Sequence, residues 1–321
     1  GGPGLARRGH VHRCARLERL MRVAVTGAGG RLGRALIDAL ADAPFTGPAG
    51  PIAWGRAAFD LDTPDGIGTR LDRDRPEVVV HAAAWTDVDG CALDPDLALR
   101  RNAVATGVLA AACAGRGVDL LVVSTNEVFD GTRTDGRPYL PTDPPAPGNP
   151  YGASKAESER LAALAFDTRP GAALGIARTA WLFGAPGRDY PSRILEAADR
   201  ARAAGEPLRV VSDEWGTPTY TADVADAIVE LLADDAIAGT HHLVNGLFAT
   251  RADWARYVLG RAGLDVDVVE VPSTTWERPS RPPRWGVLAP TPLPSGEPLR
   301  SWPDAMADYA PALLRATRIR A

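Results

Sequence analysis

Tyr151 and Lys155 are the residues whose types and spacing most plainly suggest chemistry. Lys155 is the only lysine in the chain; the other basic residues among the 36 Lys and Arg are all arginine. It lies four residues after Tyr151, in Tyr151-Gly152-Ala153-Ser154-Lys155. On a helix this spacing sets both side chains on one face. An ammonium beside a phenol lowers the phenol's pKa toward neutral pH. The expectation is a tyrosine able to give and take a proton. A surface lysine one turn from a packed tyrosine would show the same spacing, so a cofactor site and a third polar group must separate the two readings.

A cofactor site is written near the start. The β-branched run Arg22-Val23-Ala24-Val25-Thr26 leads into Gly27-Ala28-Gly29-Gly30-Arg31-Leu32-Gly33, and a helical pattern follows with Leu32, Ala35, Leu36, Ala39 and Leu40 on one side. Strand, glycine turn and helix together form a dinucleotide cradle: backbone amides approach a pyrophosphate and the helix N-terminus favours its charge. The spacing is G-x-x-G-x-x-G at Gly27, Gly30 and Gly33, with Arg31 and Leu32 between them. A turn needing glycine for packing alone is the plainer alternative.

The second strand, Pro51-Ile52-Ala53-Trp54, ends at Arg56 with no acid directly after Trp54. An acid there would hold ribose hydroxyls, whereas an arginine suits a 2′-phosphate. The expected cofactor is therefore NADPH, with NADH as the alternative. Asp60 and Leu61 sit in a turn at the adenine end. The strand Pro76–His81 runs into Ala82, Ala83 and Ala84, small enough for a cofactor to cross, and His81 reads as a packing residue. The apolar strand Val118–Val123 suits burial on both faces and ends at Ser124-Thr125-Asn126-Glu127. Ligands in doubly wound sheets sit at such carboxyl ends, so the Thr125 hydroxyl is the candidate third polar group, able to donate to a substrate oxygen, with a purely structural strand-end threonine as the plainer alternative. A Pro-rich loop from Pro138 to Pro150 precedes Tyr151.

These elements imply an α/β protein: a Rossmann-type doubly wound parallel sheet with a smaller C-terminal substrate-binding lobe. The expected division is a leader or disordered tail over 1–20, a cofactor-binding domain over 21–170, and a mainly substrate-binding lobe over 171–321 with some segments returning to the sheet. Beyond residue 170 the βα alternation loosens, and Pro-rich residues 279–298 form a loop before a terminal helix from Trp302 to Ala316. A net charge of −4 argues against nucleic acid. No apolar run reaches the length of a membrane span. Three cysteines (Cys14, Cys91, Cys113) form no metal or disulfide pattern, and His241-His242 lacks a ligand-spaced partner, so no metal is expected. The expected compartment is the reducing cytoplasm.

The glycine turn, the strand-end threonine and Tyr-x-x-x-Lys together resemble an extended short-chain dehydrogenase/reductase. Within that superfamily the chain is similar to the dTDP-4-dehydrorhamnose reductase family. The likeness runs from about Met21 to Leu314, through HAAAWTDVD (81–89), STNEVFDG (124–131), PYGASKAESE (150–159), ARTAWLFG (177–184), DEWGTPTYTADVADAI (213–228), GTHHLVN (239–245) and RPPRWGVL (281–288). The resemblance implies reduction of the 4-keto group of a dTDP-4-keto-6-deoxyhexose by NAD(P)H. Lys155 would hold the nicotinamide ribose and lower the Tyr151 pKa, Tyr151 would protonate the carbonyl oxygen, and Thr125 would orient it. Thr86, Asn126, Glu127 and Trp181 are the candidate substrate contacts.

One segment departs from the family pattern. The reductases usually read Ser-Thr-Asp-Tyr-Val-Phe, and this chain reads Ser-Thr-Asn-Glu-Val-Phe. The order Thr-x-Glu resembles the related nucleotide-sugar 4,6-dehydratases, in which the intervening Asp is the acid. Asn126 cannot release a proton at neutral pH, so dehydratase activity is not expected. A dehydratase or epimerase of the same superfamily is the enzymatic alternative, and a non-catalytic cofactor-binding regulatory subunit the alternative of another class. The partner is a nucleotide-sugar substrate, with the protein a monomer or homodimer.

Overall fold

The structure, a computed structural model, describes residues 20–169 and 171–317. Apart from Leu20, the tail expected over 1–20 lies outside the described residues. A six-stranded sheet forms the larger half, with β1 (Val23–Thr26), β2 (Ile52–Trp54), β3 (Val78–His81), β4 (Asp119–Thr125) and β5 (Leu174–Thr179). A sixth strand comes from much later in the chain, Gly239–His242. With β6 (Leu208–Val211) elsewhere, it is labelled β7, and the sheet order is β7-β5-β4-β3-β1-β2. Every pairing in it is parallel. Parallel strands need helical crossovers that cover both faces, which is why β1, β3 and β4 read as near-continuous apolar runs.

The helices supply those covers. On one face α1 (Arg31–Asp42) shares an apolar core with a helix from beyond residue 220, through Leu32, Leu36 and Leu40 against Val224, Ile228 and Leu231. On the other face α2 (Ile67–Asp74), α3 (Ala105–Ala114) and α4 (Pro150–Asp167) enclose Trp54, Ile67, Leu71, Leu109, Leu120 and Phe166. Leu99–Val104, just before α3, is a π-helical stretch. Such wide turns often mark functional sites, and this one carries Asn102. A second core belongs to the smaller half. There α5 (Tyr190–Ala204), α6 (Thr221–Ala233, which is the helix packed on α1), α7 (Arg251–Arg261) and α8 (Trp302–Thr317) follow in order. Of these, α5, α7 and α8 gather round Phe183, Leu195, Trp254, Met306 and Tyr309. A two-stranded parallel ribbon of β6 with β8 (Val268–Val271) completes it.

Strand order reverses between β1, which continues to β2, and β3, which continues to β4. Loops diverge at such a point and leave a crevice at the carboxyl ends. The glycine turn after β1 and the alanines after β3 both open there. Two glycines in the turn are required by space. A Cβ on Gly27 would stand 2.8 Å from the Ala83 backbone, and Gly27 also has φ +66°. A Cβ on Gly33 would meet the Gly27 carbonyl oxygen at 2.1 Å.

His81 ties this crevice together from beneath. Its Nδ1 lies 2.7 Å from the Thr26 hydroxyl and its Nε2 3.0 Å from that of Thr106. Thr106 spends its own hydrogen on the Asn102 carbonyl at 2.6 Å, so His81 must donate from Nε2 and accept at Nδ1. The ring is buried, and burial lowers its pKa from 6.5 to about 3, with the Lys155 charge adding to the effect. A depressed histidine contributes stability that is fully present above pH 6.5 and lost as pH falls toward 3. Between pH 7 and pH 5, urea denaturation should therefore show a loss of about 2 kcal/mol attributable to His81. The His81→Gln protein should lose about that much less over the same interval; equal losses in the two proteins would refute the assignment.

Candidate active site

Helix α4 begins where the Pro-rich loop ends. Asn149 caps it, accepting from the Gly152 amide at 2.8 Å, and Pro150 occupies the first turn, where its missing N–H costs nothing. The cap fixes the start of the helix, and Tyr151 and Lys155 then project from one buried face at 8% and 2% exposure. Gly152 is glycine because a Cβ would stand 1.9 Å from the Glu127 carbonyl oxygen. The helix thus presses directly on the loop after β4. The Lys155 ammonium donates to the Val123 carbonyl at 2.8 Å, which brings it to the strand that carries Thr125.

Thr125, Tyr151 and Lys155 all line one cleft of about 420 Å³. So do Gly30, Arg31, Leu32, Gly33, Ala82, Ala84, Thr86, Asn126, Glu127 and Trp181. Gly27 and Ala83 lie against each other and are not among its lining residues. Arg56 and Asp60 are not in the cleft. They face a separate hollow of about 420 Å³ beyond the end of β2, shared with Arg70 and Arg73, and their own ion pair is loose at 3.8 Å. Leu61 lines neither space.

The electrostatics differ from the expectation for Tyr151. Its pKa is raised, first by burial and then by the Glu127 carboxylate, while a hydrogen bond with Thr125 acts the other way. Lysine does not dominate because its ammonium is directed to the Val123 carbonyl and is itself desolvated. Burial pushes Lys155 down to about 8, with Glu159 opposing. Glu127 is held up by burial, its carboxylate accepting from Asn149 Nδ2 at 2.8 Å and drawn down by Arg251 and Arg278. The protein by itself therefore keeps the phenol protonated at neutral pH.

Asn126 is more firmly committed than a substrate contact need be. Its Nδ2 donates to the Gly286 carbonyl at 3.1 Å and its Oδ1 accepts from Thr125 at 3.3 Å. Trp181 has φ +42°, a strained conformation for a bulky residue and one found disproportionately at functional sites. It lies parallel to Trp254 at 5.9 Å, and the Arg251 guanidinium covers it at 3.5 Å.

Several residues not singled out in the sequence belong to this site. Asn102 donates to the Trp85 carbonyl and to Ser154 Oγ, both at 3.0 Å, and accepts from the Trp85 amide at 2.7 Å, fastening the loop with Thr86 to α4. Asn149 was readable as a helix cap before proline. Arg251, Glu214 and Tyr190 were not, because they come from the other half of the chain. Together with Thr86, Asn126, Glu127 and Trp181 they wall a second hollow of about 830 Å³, into which Arg193, Arg200, Arg209 and Arg278 also face.

The cleft fits a nicotinamide dinucleotide in three respects. The N-terminus of α1 has no side-chain cap, so its amides are free for an anion. At Gly27 and Gly33 the glycine cradle has no room for a side chain. Arg31 Nε and Thr179 Oγ1, both belonging to residues that line the cleft, are buried without hydrogen-bond partners. Among the described residues no group of His, Cys, Asp and Glu is arranged to hold a metal ion, and none of the helices is long and apolar enough to cross a membrane.

Comparison with known proteins agrees with this architecture. The RmlD substrate binding domain profile matches residues 21–314. The dTDP-4-dehydrorhamnose reductase of Streptomyces griseus is 36% identical over 90% of this chain and 93% of its own length. That of Mycobacterium tuberculosis is 36% identical over 93% of this chain and 95% of its own. Among solved structures, a dTDP-4-dehydrorhamnose reductase from Clostridium acetobutylicum superposes with a TM-score of 0.82 at 29% identity, covering 91% of this chain and 99% of that one. One from Bacillus anthracis, in complex with NADP, gives 0.78 at 27% identity, covering 90% and 98%. By sequence, by fold and by the placement of its cleft, the chain belongs to the dTDP-4-dehydrorhamnose reductase family of extended short-chain dehydrogenases/reductases.

Proposed function

We propose that the protein reduces the 4-keto group of a dTDP-4-keto-6-deoxyhexose with NADPH, in deoxysugar synthesis. The observation that carries this reading is the meeting of Thr125, Tyr151 and Lys155 in a cleft that also contains the glycine cradle. The relatives named dTDP-4-dehydrorhamnose reductase, and the NADP held by one of them, support the substrate and the cofactor. The reading carries with it a cytoplasmic enzyme acting as a monomer or homodimer.

The dinucleotide would lie along Gly30, Arg31, Leu32 and Gly33, with its reactive ring toward Thr125 and Tyr151, and it supplies the hydride. The protein's own part is placement and the proton. Tyr151 directs its hydroxyl at the ketone oxygen, and Thr125 joins it by turning its hydroxyl hydrogen there from Asn126, so that both stabilise the charge that grows. Tyr151 then releases its proton to that oxygen. A phenol kept protonated by burial and by Glu127 is in the state that reduction requires; the reverse oxidation would need the phenolate. Lys155 contributes a buried positive charge beside the phenol and a donor toward the cofactor's ribose.

The second hollow suits the rest of the substrate. Four guanidiniums, from Arg193, Arg200, Arg209 and Arg278, face it, and arginine forks match phosphate oxygens. Trp181 and Glu127 stand where the two spaces meet, to pack against the sugar and accept from its hydroxyls. A dehydratase reading is disfavoured at Asn126, an amide with no acidic proton whose two ends are already bonded.

Two outcomes test this. With dTDP-4-dehydrorhamnose and NADPH, Tyr151→Phe should lower kcat roughly 10²–10⁴-fold while leaving NADPH affinity near wild type. Wild-type turnover in that variant would sink the mechanism. Arg209→Ala should raise KM for the nucleotide sugar by about tenfold or more with kcat and NADPH affinity little changed; an unchanged KM would remove the second hollow from the substrate's path.

A further inference from the structure

Glu159 is a buried carboxylate that the reaction above does not use. It lies four residues after Lys155 on α4, so Tyr151, Lys155 and Glu159 form one stripe of the same buried face. Its oxygens accept from Ser124 Oγ and from the Arg178 guanidinium, at 2.7 Å from Nη2 and 3.0 Å from Nε. Ser124 directly precedes Thr125 on β4, Arg178 directly precedes Thr179 on β5, and the two pairs stand opposite each other in the sheet register. Arg178 in turn covers the Phe129 ring at 5.2 Å, Phe129 stacks on Tyr139 at 4.2 Å, and Arg133 closes the pile at 4.0 Å.

We propose that Glu159 is a positioning residue for the reduction, whose carboxylate both fixes the Thr125 strand end against α4 and keeps the Lys155 side chain charged. Desolvation works against an ammonium buried at 2% exposure. The groups that face it decide how far. His81 of β3 is kept neutral by its burial and so adds no repulsion. β4 contributes the Val123 carbonyl. The remaining compensation is Glu159, which holds the Lys155 pKa up against burial. Glu159 is itself shared, since Arg178 claims it through the bidentate bond. The charge on Lys155 is therefore set by a division of one carboxylate between two cations.

The catalytic consequence rests on the reduction assigned above, but the charge itself can be read without any substrate. Because the chain has one lysine, protein labelled with 13C-lysine gives a single side-chain Cε signal, and its pH titration reports Lys155 directly. The wild-type midpoint is expected near 8. Glu159→Gln should lower it by about one unit or more, and Glu159→Asp should restore most of the difference. The alkaline limb of kcat/KM should move in the same direction, which a purely structural defect would not cause. Should Glu159→Gln fail to fold, Arg178→Gln carries the test the other way: it frees the carboxylate for Lys155 and raises the midpoint. A Lys155 titration that stays in place in both variants, or that moves down in Arg178→Gln, overturns the proposal. Absence of ketoreduction in the wild-type protein, with the titration behaviour as expected, would refute the assigned reaction and leave the charge relation standing.

Discussion

The structure depends on keeping one lysine charged inside a protein. Lys155 is almost fully buried, where an ammonium loses most of its hydration and is costly unless partnered. Three features of the fold answer that cost: the Val123 carbonyl at the β4 end, the Glu159 carboxylate one turn along α4, and the neutral tautomer of His81 beneath. Each is fixed by further contacts. Glu159 is held by Ser124 and Arg178, and His81 by Thr26 and Thr106. The polar chain continues through the Asn102 carbonyl into the π-helical turn, and the Asn102 side chain grips Ser154, next to Lys155. Arginine could not replace the lysine here without changing its reach and hydrogen-bond geometry. That difference gives a physical reason for one lysine to persist in a chain whose other cations are arginine.

Around this centre the sheet topology does the positioning. Strand order reverses between β1 and β3, so their loops diverge and leave the crevice in which the glycine cradle, Ala82 and Ala84 lie. The lobe built from later segments then closes the other side. Its connection is tight in both senses: α6 packs on α1 and β7 joins the sheet edge, while α7 brings Arg251 over Trp181. The strained Trp181 backbone sits at the seam, and Gly216 leaves the room that its indole occupies.

Much of this was legible from residues alone, for identifiable reasons. The strands of the parallel sheet are apolar on both faces, and the glycine turn follows one of them directly, so the dinucleotide half announces itself through local pattern. Asn149-Pro150 marks the start of α4 by cap chemistry, and the Tyr151-Lys155 spacing follows from helical geometry. What stayed hidden depends on contacts between distant segments. Arg251 is 100 residues from Tyr151, and nothing near it in sequence points to a cleft. The Tyr151 pKa moves opposite to the expectation from spacing for the same reason. Spacing shows that a lysine is near; it does not show that its ammonium turns to Val123, or that the Glu127 charge acts on the phenol. Arg56, which follows β2 in sequence, stands outside the main cleft, because the turn carries it past the strand end into a separate hollow with Arg70 and Arg73.

Net ketone reduction consumes the cofactor, as opposed to the hydride-returning chemistry found elsewhere in the superfamily. Its most direct test is stoichiometry: purified protein, limiting NADPH and excess dTDP-4-dehydrorhamnose, with NADPH loss followed by absorbance and the sugar product by NMR. The account predicts one NADPH consumed for each 4-hydroxy sugar formed. Conversion of the sugar with no net consumption of NADPH would contradict it.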